Sequence, residues 1–329
     1  MGKHTRRKLN RQQQRRVEKR RNAEALTPEE RASACNGVVI TNFGKRVLVE
    51  DEQGEHHNCA IRQNLGKLVA GDRVLWTETG VPGEGVVIAL EPRESLLARP
   101  GFRGQDRMIA ANIDRIGIVA PLDPGVHPDM IDRYLVACCQ QGFEPLLIIN
   151  KTDLIESEEE WEALAETLLA YDELELPILP VSAVDGSGLD DLRDALKGHT
   201  VVFVGPSGAG KSSLIKALIP DLDIRIGALS EATGLGRHTT TNSVLYHLPE
   251  GGDLIDSPGV RLFSPERPEN LKALEACFPD IHEVARGCRF NDCTHTDEPG
   301  CAVLAAVADG EIAFSRYHSF QRLREEFDL

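Results

Sequence analysis

The sequence lacks any apolar run long enough to cross a membrane. A membrane-spanning helix needs about 18 consecutive apolar residues, and no segment of the 329-residue chain reaches that length. No apolar stretch follows the basic N-terminus, so we expect no secretory signal. These absences predict a cytoplasmic protein without membrane contact, whose cysteines remain thiols or metal ligands in a reducing cytosol.

Positive charge is scarce outside the first 21 residues. The chain has 37 Lys and Arg against 52 Asp and Glu, a formal net charge of −15. Residues 1–21 hold ten of the basic side chains and one acid (+9), which leaves 27 basic against 51 acidic side chains (−24) elsewhere. Such a segment buries no apolar surface, so residues 1–34 are predicted to be a disordered arm. The arm could neutralise nucleic-acid phosphates, and a solvated tail is the alternative.

Residues 35–98 are predicted to form a small all-β domain. Five short β-rich runs separated by glycines fit an OB-like barrel, a scaffold that often binds oligonucleotides. The composition suits an SH3-like barrel equally well, and a spacer role is also open. The five runs are Gly37–Ile40, Lys45–Val49, His57–Ile61, Asp72–Trp76 and Gly85–Ala89.

Residues 99–276 alternate between strand and helix patterns, which predicts a doubly wound parallel sheet. Helices are expected over Met130–Gln141, where Cys138 and Cys139 are predicted only to pack, and over Ser157–Tyr171. The second helix starts with a capping box, since Glu160 follows Ser157 by three residues. Residues 303–329 predict two more helices, broken near Asp309-Gly310. The predicted strands are Ile113–Val119, Pro145–Ile149, Ile178–Val181, Val201–Val204 and Leu254–Ile255.

A glycine-rich segment matches the phosphate-loop pattern G-x-x-x-x-G-K-S at every defined position. Its glycines let backbone N–H groups converge on phosphates, and the helix predicted after it adds its dipole. We expect Lys211 to reach the β- and γ-phosphates and the Ser212 hydroxyl to bind Mg²⁺. The predicted phosphate-binding residues are Gly205, Pro206, Ser207, Gly208, Ala209, Gly210, Lys211, Ser212 and Ser213.

A guanine-reading motif precedes the phosphate loop, although in an ordinary GTPase it follows. The Asp153 carboxylate can accept two hydrogen bonds from guanine; adenine would leave it unpaired, at about 1–3 kcal/mol. Asn150 is expected to hold its own loop and the edge of the base, and the aliphatic stem of Lys151 is expected to cover the guanine ring. A second segment, Ser182-Ala183, follows the next predicted strand and resembles the one that also touches the base in GTPases. The two segments predict GTP and GDP as ligands, bound by Asn150, Lys151, Thr152, Asp153, Ser182 and Ala183.

The segment Asp256-Ser257-Pro258-Gly259 matches the D-x-x-G motif of GTPases. Asp256 is expected to bind Mg²⁺ through water, and the Gly259 N–H to sense the γ-phosphate. Upstream, Thr240 is predicted to complete the Mg²⁺ coordination, with Thr239 or Thr241 as alternatives.

The water-orienting Gln that many GTPases place directly after this motif is missing. Val260 stands there and cannot orient water, so we expect slow intrinsic hydrolysis. His238 is the nearest candidate to replace the Gln, with a solvated loop His as the alternative. The predicted catalytic residues are His238, Lys211 and Thr240.

Three cysteines and one histidine cluster near the C-terminus in a loop containing Gly and Pro. A Cys3His set is a closed tetrahedral site for structural zinc, and such a metal could stabilise a segment too small for its own core. Cys277 and His282 are the alternative ligands. The predicted zinc ligands are Cys288, Cys293, His295 and Cys301.

From residue 35 to the C-terminus, these features together resemble the bacterial ribosome small subunit-dependent GTPases of the RsgA/YjeQ type. The resemblance rests on the reversed motif order, the sequences GLGRHTTT and DSPGV, the OB-like domain and the Cys-x4-Cys-x-His-x5-Cys pattern. It implies an α/β P-loop GTPase domain, circularly permuted, with an N-terminal all-β OB-like barrel and a small C-terminal zinc-binding helical segment. His238 matches the family's proposed catalytic His.

The resemblance further implies binding to the small (30S) ribosomal subunit and its rRNA late in assembly, with slow GTP hydrolysis that the subunit stimulates. We expect a monomer with an arm (1–34), a barrel (35–98), a GTPase domain (99–276) and a zinc-binding domain (277–329). An rRNA-binding scaffold with a mainly structural nucleotide site is the main alternative. A P-loop ATPase or kinase, and a permuted GTPase of large-subunit assembly, fit the motifs less well.

Overall fold

The computed structural model describes residues 30, 33–63, 65–99, 107–222, 242–257 and 263–329. These residues divide into two compact units. The first contains the residues up to Leu68 together with Asp72–Pro92, and the second contains Val69–Gly71 and Arg93–Leu329. Among the helices in these ranges, none has both the length and the apolar character that a membrane span requires.

The first unit is a five-stranded barrel, as predicted. Antiparallel pairs join β1 to β2, β2 to β3 and β4 to β5, β3 pairs with β5 in parallel, and β1 pairs with β4 to close the barrel. This order is that of an OB-like barrel and not of the SH3-like alternative. The strands are β1 (Cys35–Asn42), β2 (Arg46–Asp51), β3 (His56–Ile61), β4 (Arg73–Glu78) and β5 (Glu84–Leu90).

The barrel core is built around Trp76, which is 1% exposed. Its indole N–H donates to the Asn36 carbonyl at 3.2 Å, so the polar atom is satisfied. Gly85 faces the indole, and a Cβ there would lie 2.6 Å from Trp76 Cε3. Strand β5 therefore needs glycine at this position to approach the tryptophan.

The second unit contains a sheet with strand order β10-β9-β8-β11-β13-β12. Neighbouring strands are parallel except for β12, which is antiparallel to β13. All five predicted strands are present, whereas β12 and the hairpin of β6 and β7 were not predicted. The strands are β6 (Leu96–Arg99), β7 (Arg107–Ala111), β8 (Arg115–Pro121), β9 (Glu144–Asn150), β10 (Ile178–Val181), β11 (Thr200–Val204), β12 (Val244–His247) and β13 (Asp253–Asp256).

The helices of this unit confirm the predicted ones and add short helices that the pattern did not reveal. Ser157 caps α2 by accepting a hydrogen bond from the Glu160 N–H, as the capping-box pattern predicts. Gly310 ends α7 with a left-handed backbone (φ 79°), at the predicted break. The helices are α1 (Pro128–Gln141), α2 (Glu158–Asp172), α3 (Leu189–Leu196), α4 (Lys211–Leu218), α5 (Leu271–Glu275), α6 (Pro279–Ala285), α7 (Ala302–Asp309) and α8 (Phe314–Glu326).

A buried arginine joins the C-terminal helices to α1. Arg316 of α8 is 1% exposed, and its guanidinium donates to Asp132 of α1. It also donates two hydrogen bonds of 3.0 Å to Asp280 of α6 and lies 4.6 Å from the Phe278 ring centroid. Because breaking such a buried pair leaves an uncompensated charge, these helices are expected to separate from α1 only at a high energetic cost.

One prediction about the cysteines is wrong. Cys139 and Cys277 form a disulfide, whereas both were expected to stay reduced, with Cys139 packing and Cys277 as an alternative metal ligand. Their Cα atoms are 5.7 Å apart, a distance suited to a disulfide. The pair is separated by 138 residues, so only the packing of α1 against the segment between α5 and α6 brings it together.

Candidate nucleotide site and metal centre

The predicted nucleotide motifs lie at the carboxyl ends of neighbouring parallel strands. The guanine-reading motif begins at the last residue of β9, the phosphate loop follows β11, and Asp256 ends β13. Ser182 follows directly after β10. Ligands of open α/β sheets bind at this edge, so the sheet gathers motifs that are far apart in the chain.

The phosphate loop leads directly into the N-terminus of α4. Gly210 has φ +87° and is the N-cap residue of the helix, which begins at Lys211. The Lys211 ammonium donates to the carbonyls of Gly205 at 2.8 Å and Pro206 at 2.7 Å. At Gly205 a Cβ would lie 2.3 Å from the Val119 carbonyl oxygen. The loop is therefore closed over its own lysine and packed tightly against β8, with Ser212 and Ser213 exposed on the first helical turn.

Asn150 connects the guanine-reading motif to the phosphate loop. Its side chain is 2% exposed, and its amide donates to the Ala209 carbonyl at 2.8 Å. A Cβ at Gly210 would lie 2.2 Å from Asn150 Nδ2, so the contact requires glycine at that position. The Asn150 Oδ1 atom is buried and has no hydrogen-bond partner among the described residues, which leaves an acceptor at this edge.

Asp153 and Ser182 are brought together although 29 residues separate them. The Ser182 hydroxyl donates to the Asp153 carboxylate at 2.6 Å and accepts from the Val184 N–H at 3.1 Å. Ser182 is fully buried, and Ala183 packs at the edge of the same apolar core. This arrangement orients the carboxylate predicted to read guanine.

Lys151 and Thr152 complete this loop. Lys151 has a left-handed backbone (φ 72°), and its ammonium donates to the Asp123 carbonyl at 2.7 Å. Thr152 is 8% exposed and begins a short 3-10 helix. The Asp123 carboxylate lies 3.4 Å from the same ammonium and forms an ion pair with it. The sequence did not point to Asp123, because no motif marks it.

The γ-phosphate side of the site is described in part. Asp256 pairs with Val244 at the end of β13, beside the β11 strand that carries the phosphate loop. Burial and the negative charge of Asp256 raise the pKa of the neighbouring Tyr246. The other predicted residues on this side, His238, Thr240 and Gly259, lie outside the described residues.

The four predicted metal ligands form one cluster. One ligand atom from each of Cys288, Cys293, His295 and Cys301 lies within 4.8 Å of the others. His295 Nδ1 is 3.6 Å from Cys288 Sγ and 3.4 Å from Cys301 Sγ. Three sulfurs and one ring nitrogen at this spacing fit a closed tetrahedral metal site.

Glu275 orients the histidine of this cluster. Its carboxylate accepts from His295 Nε2 at 3.2 Å, which leaves Nδ1 as the nitrogen facing the sulfurs. Burial raises the pKa of Glu275, but hydrogen bonds from Lys272 and His295 outweigh it and hold the pKa below its usual value. Glu275 therefore provides the ionised outer partner that metal-bound histidines usually have.

Cys277 and His282, the alternative metal ligands, take other roles in the structure and do not belong to the cluster. His282 Nδ1 lies 3.2 Å from the Glu275 carboxylate, and Cys277 is in the disulfide. Sequence reasoning missed Glu275 because it lies outside the ligand spacing, 20 residues before His295.

Comparisons with known proteins indicate the same family over most of the chain. Residues 90–265 match the family model described as RsgA GTPase. A curated Ectopseudomonas mendocina (strain ymp) protein, named Small ribosomal subunit biogenesis GTPase RsgA, is 46% identical over 335 residues, with 96% of each chain covered. These similarities extend from the barrel to the Cys and His cluster.

Two solved structures share the fold. YjeQ from Thermotoga maritima is 33% identical with a TM-score of 0.72, covering 89% of this chain and 98% of that one. YloQ, described as a circularly permuted GTPase, is 27% identical with a TM-score of 0.70, covering 92% and 98%. They confirm the predicted fold class, a circularly permuted α/β P-loop GTPase domain with an N-terminal OB-like barrel and a C-terminal helical segment that can bind metal.

The tight approach of Gly210 to Asn150 predicts a measurable difference between two glycines of the phosphate loop. Both have positive φ, but a Cβ added at Gly208 would meet no atom of the described residues within 4 Å. We expect Gly208→Ala to lower the free energy of unfolding by about 1–2 kcal/mol. Gly210→Ala should cost about 1–3 kcal/mol more, because it also breaks the buried Asn150–Ala209 hydrogen bond. Urea unfolding measures both losses, and equal losses would contradict the role of this contact.

Proposed function

The chain belongs to the RsgA GTPase family and hydrolyses GTP, and from this premise we propose that it acts on the small ribosomal subunit late in its maturation. The proposal includes slow hydrolysis by the free protein and faster hydrolysis on the subunit. Relatives named for small ribosomal subunit biogenesis support the assignment. So does the OB-like barrel, since this scaffold often binds oligonucleotides.

The observation that carries the proposed GTP site is the hydrogen bond between Asn150 and Ala209. It joins the guanine-reading motif to the phosphate loop, although their order in the chain is reversed. Asp153, held by Ser182, is proposed to read the guanine edge. The phosphate loop from Gly205 to Ser213 is proposed to hold the phosphates at the helix N-terminus.

The proposed hydrolysis depends on residues that position charge around the phosphates. Lys211 would exchange its hydrogen bonds to the loop carbonyls for the β- and γ-phosphate oxygens. Ser212, Thr240 and Asp256 would hold Mg²⁺ directly or through water, and the Gly259 N–H would sense the γ-phosphate. Bound Mg²⁺ would neutralise charge that develops on the phosphate oxygens.

Val260 cannot orient the attacking water, which is why the free protein is proposed to be slow. His238 is proposed to supply this function when the subunit is bound. The main alternative, an rRNA-binding scaffold whose nucleotide site is mainly structural, differs in one respect. It requires no rise in turnover on the subunit.

The remaining assignments complete the proposal. We propose a cytoplasmic monomer that binds GTP and GDP, in which residues 1–34 and 35–98 form the arm and the rRNA-binding barrel. Residues 99–276 would be the GTPase domain and 277–329 the zinc-binding domain. The charge of the arm, +9 over residues 1–21, supports phosphate contacts that weaken as salt is raised.

The central experiment compares GTP turnover with and without purified small subunits. We expect the subunit to raise turnover about tenfold or more, because a partner supplies what Val260 lacks. Lys211→Ala should lower stimulated turnover about 100-fold, since it removes charge from the phosphate site. No rise with the wild-type chain would favour the scaffold, and full turnover by the Lys211 variant would overturn the site.

A second prediction concerns guanine recognition. Asp153→Asn should reduce the preference for GTP over ATP about tenfold or more, because the carboxylate no longer accepts two hydrogen bonds. Competition of each nucleotide for bound fluorescent GDP measures this preference. Asp172→Asn, an exposed change at the end of α2, is the control and should leave it unchanged. Unaltered discrimination in the Asp153 variant would argue against its role.

We propose that the metal at the Cys3His cluster is zinc, held by Cys288, Cys293, His295 and Cys301. Glu275→Gln removes the charge behind His295 and should weaken zinc binding about tenfold. Glu283→Gln, an exposed change on α6, is the matched control. Competition with a chromophoric zinc chelator measures both affinities. Absence of zinc in protein purified without chelator would remove the assignment, and equal affinities would remove the role of Glu275.

A further inference from the structure

We propose that Cys139 and Cys277 form a reversible oxidation site that links α1 covalently to the C-terminal metal-binding segment. The oxidant would be a low-molecular-weight disulfide such as glutathione disulfide. This inference goes beyond nucleotide hydrolysis and metal binding, since the bonded sulfurs belong neither to the nucleotide motifs nor to the Cys3His cluster. It rests on how the structure distributes the cysteines and on the contacts around this pair.

The eight cysteines of the chain all lie within the described residues and fall into distinct groups. Three belong to the metal cluster, and two form the disulfide. Cys59 and Cys138 are buried, and burial raises the pKa of each thiol to about 12. Such thiols are poor nucleophiles at neutral pH. Cys35 is a single exposed thiol, so the pair at Cys139 and Cys277 is the one arranged for disulfide exchange.

The two members of the pair differ in access. Cys139 is exposed near the C-terminal end of α1, whereas Cys277 is 9% exposed between α5 and α6. A small thiol or disulfide can therefore reach Cys139 from solvent. Exposed disulfides are the ones that exchange readily, and a disulfide in a reducing compartment is usually transient or redox-sensing.

Noncovalent contacts near both cysteines join α1 to the segment around Cys277 independently of the disulfide. The Gln140 side chain, next to Cys139, donates to the Glu266 carbonyl and accepts from its N–H, both at 2.9 Å. Further along α1, Asp132 is paired with Arg316, and Val136 packs in the same apolar cluster as Cys277. We therefore expect α1 and the segment around Cys277 to stay packed together when the disulfide is reduced.

The exchange balances without any further reactant. The Cys139 thiolate attacks glutathione disulfide, forms a mixed disulfide and releases one glutathione. The Cys277 thiolate then attacks the Cys139 sulfur, forms the protein disulfide and releases the second glutathione. Two protein thiols are oxidised, one glutathione disulfide is reduced to two thiols, and the protons of the protein thiols end on the released glutathione.

The crosslink has a structural consequence because of what lies between its ends. Residues 139–277 include every nucleotide motif singled out above, from Asn150 to Gly259, while the four metal ligands begin at Cys288. Oxidation closes this part of the chain into a covalent loop and ties it to the segment that leads into the metal cluster. Closing so long a loop restricts the unfolded chain strongly, so the oxidised protein should resist unfolding.

The experiment uses the full-length chain equilibrated at a series of glutathione to glutathione disulfide ratios. After free thiols are alkylated, peptide mass mapping should show the Cys139–Cys277 crosslink rising with glutathione disulfide and disappearing in dithiothreitol. The oxidised chain should unfold at a temperature about 5 °C or more above the reduced chain. Neither readout involves nucleotide or ribosomes, so the result is independent of the proposed function.

Two variants make the test specific. Cys139→Ser should abolish the crosslink and the redox-dependent shift in unfolding temperature. Cys138→Ala, the adjacent buried position, should keep both. The proposal is overturned if no ratio produces the crosslink, if it fails to reverse with dithiothreitol, or if the shift persists in the Cys139 variant.

Discussion

The nucleotide site depends on one hydrogen bond, from the Asn150 side chain to the Ala209 carbonyl. It fixes the distance between the guanine-reading loop and the phosphate loop, and glycine at position 210 is needed to allow it. The parallel sheet makes the bond possible because all of its parallel strands end at one edge. Only the spatial arrangement matters to the ligand, so the reversed order of the motifs along the chain leaves the site unchanged.

The sequence was sufficient to predict features that depend on local patterns. The barrel strands, the parallel strands, the caps of α2 and α7 and the metal ligands are each specified by residues close together in the chain. Contacts between distant residues were not predictable in this way. Asp123 meets Lys151 across 28 residues through its carbonyl and its carboxylate, Glu275 lies outside the ligand spacing, and Cys139 meets Cys277 only after α1 packs. The edge strand β12 has four residues, too few to show a pattern. In α3, Leu189, Leu192 and Leu196 are buried at helical spacing, so the signal for this helix was present and was missed.

The C-terminal segment combines local and long-range stabilisation. Within the segment, the Cys3His cluster organises a loop that has few apolar residues of its own, and Glu275 at the end of α5 supports its histidine. Towards α1, the buried Arg316 pairs with Asp132 and Asp280, while exposed pairs such as Arg322 with Asp129 add little, because solvent screens them. The segment and α1 are thus expected to move together. The loop that precedes α1 contains Asp123, whose carbonyl accepts a hydrogen bond from Lys151.

Four of the hydrogen bonds that shape the nucleotide loops share one property, since their acceptors are main-chain carbonyls. The side chains of Asn150, Lys151 and Lys211 donate to carbonyls of Ala209, Asp123, Gly205 and Pro206. Such a bond constrains the donor residue but places no demand on the acceptor's side chain. During evolution the donor positions should therefore stay constant. A change at position 123 would remove the ion pair of its carboxylate with Lys151 but keep the carbonyl that accepts at 2.7 Å.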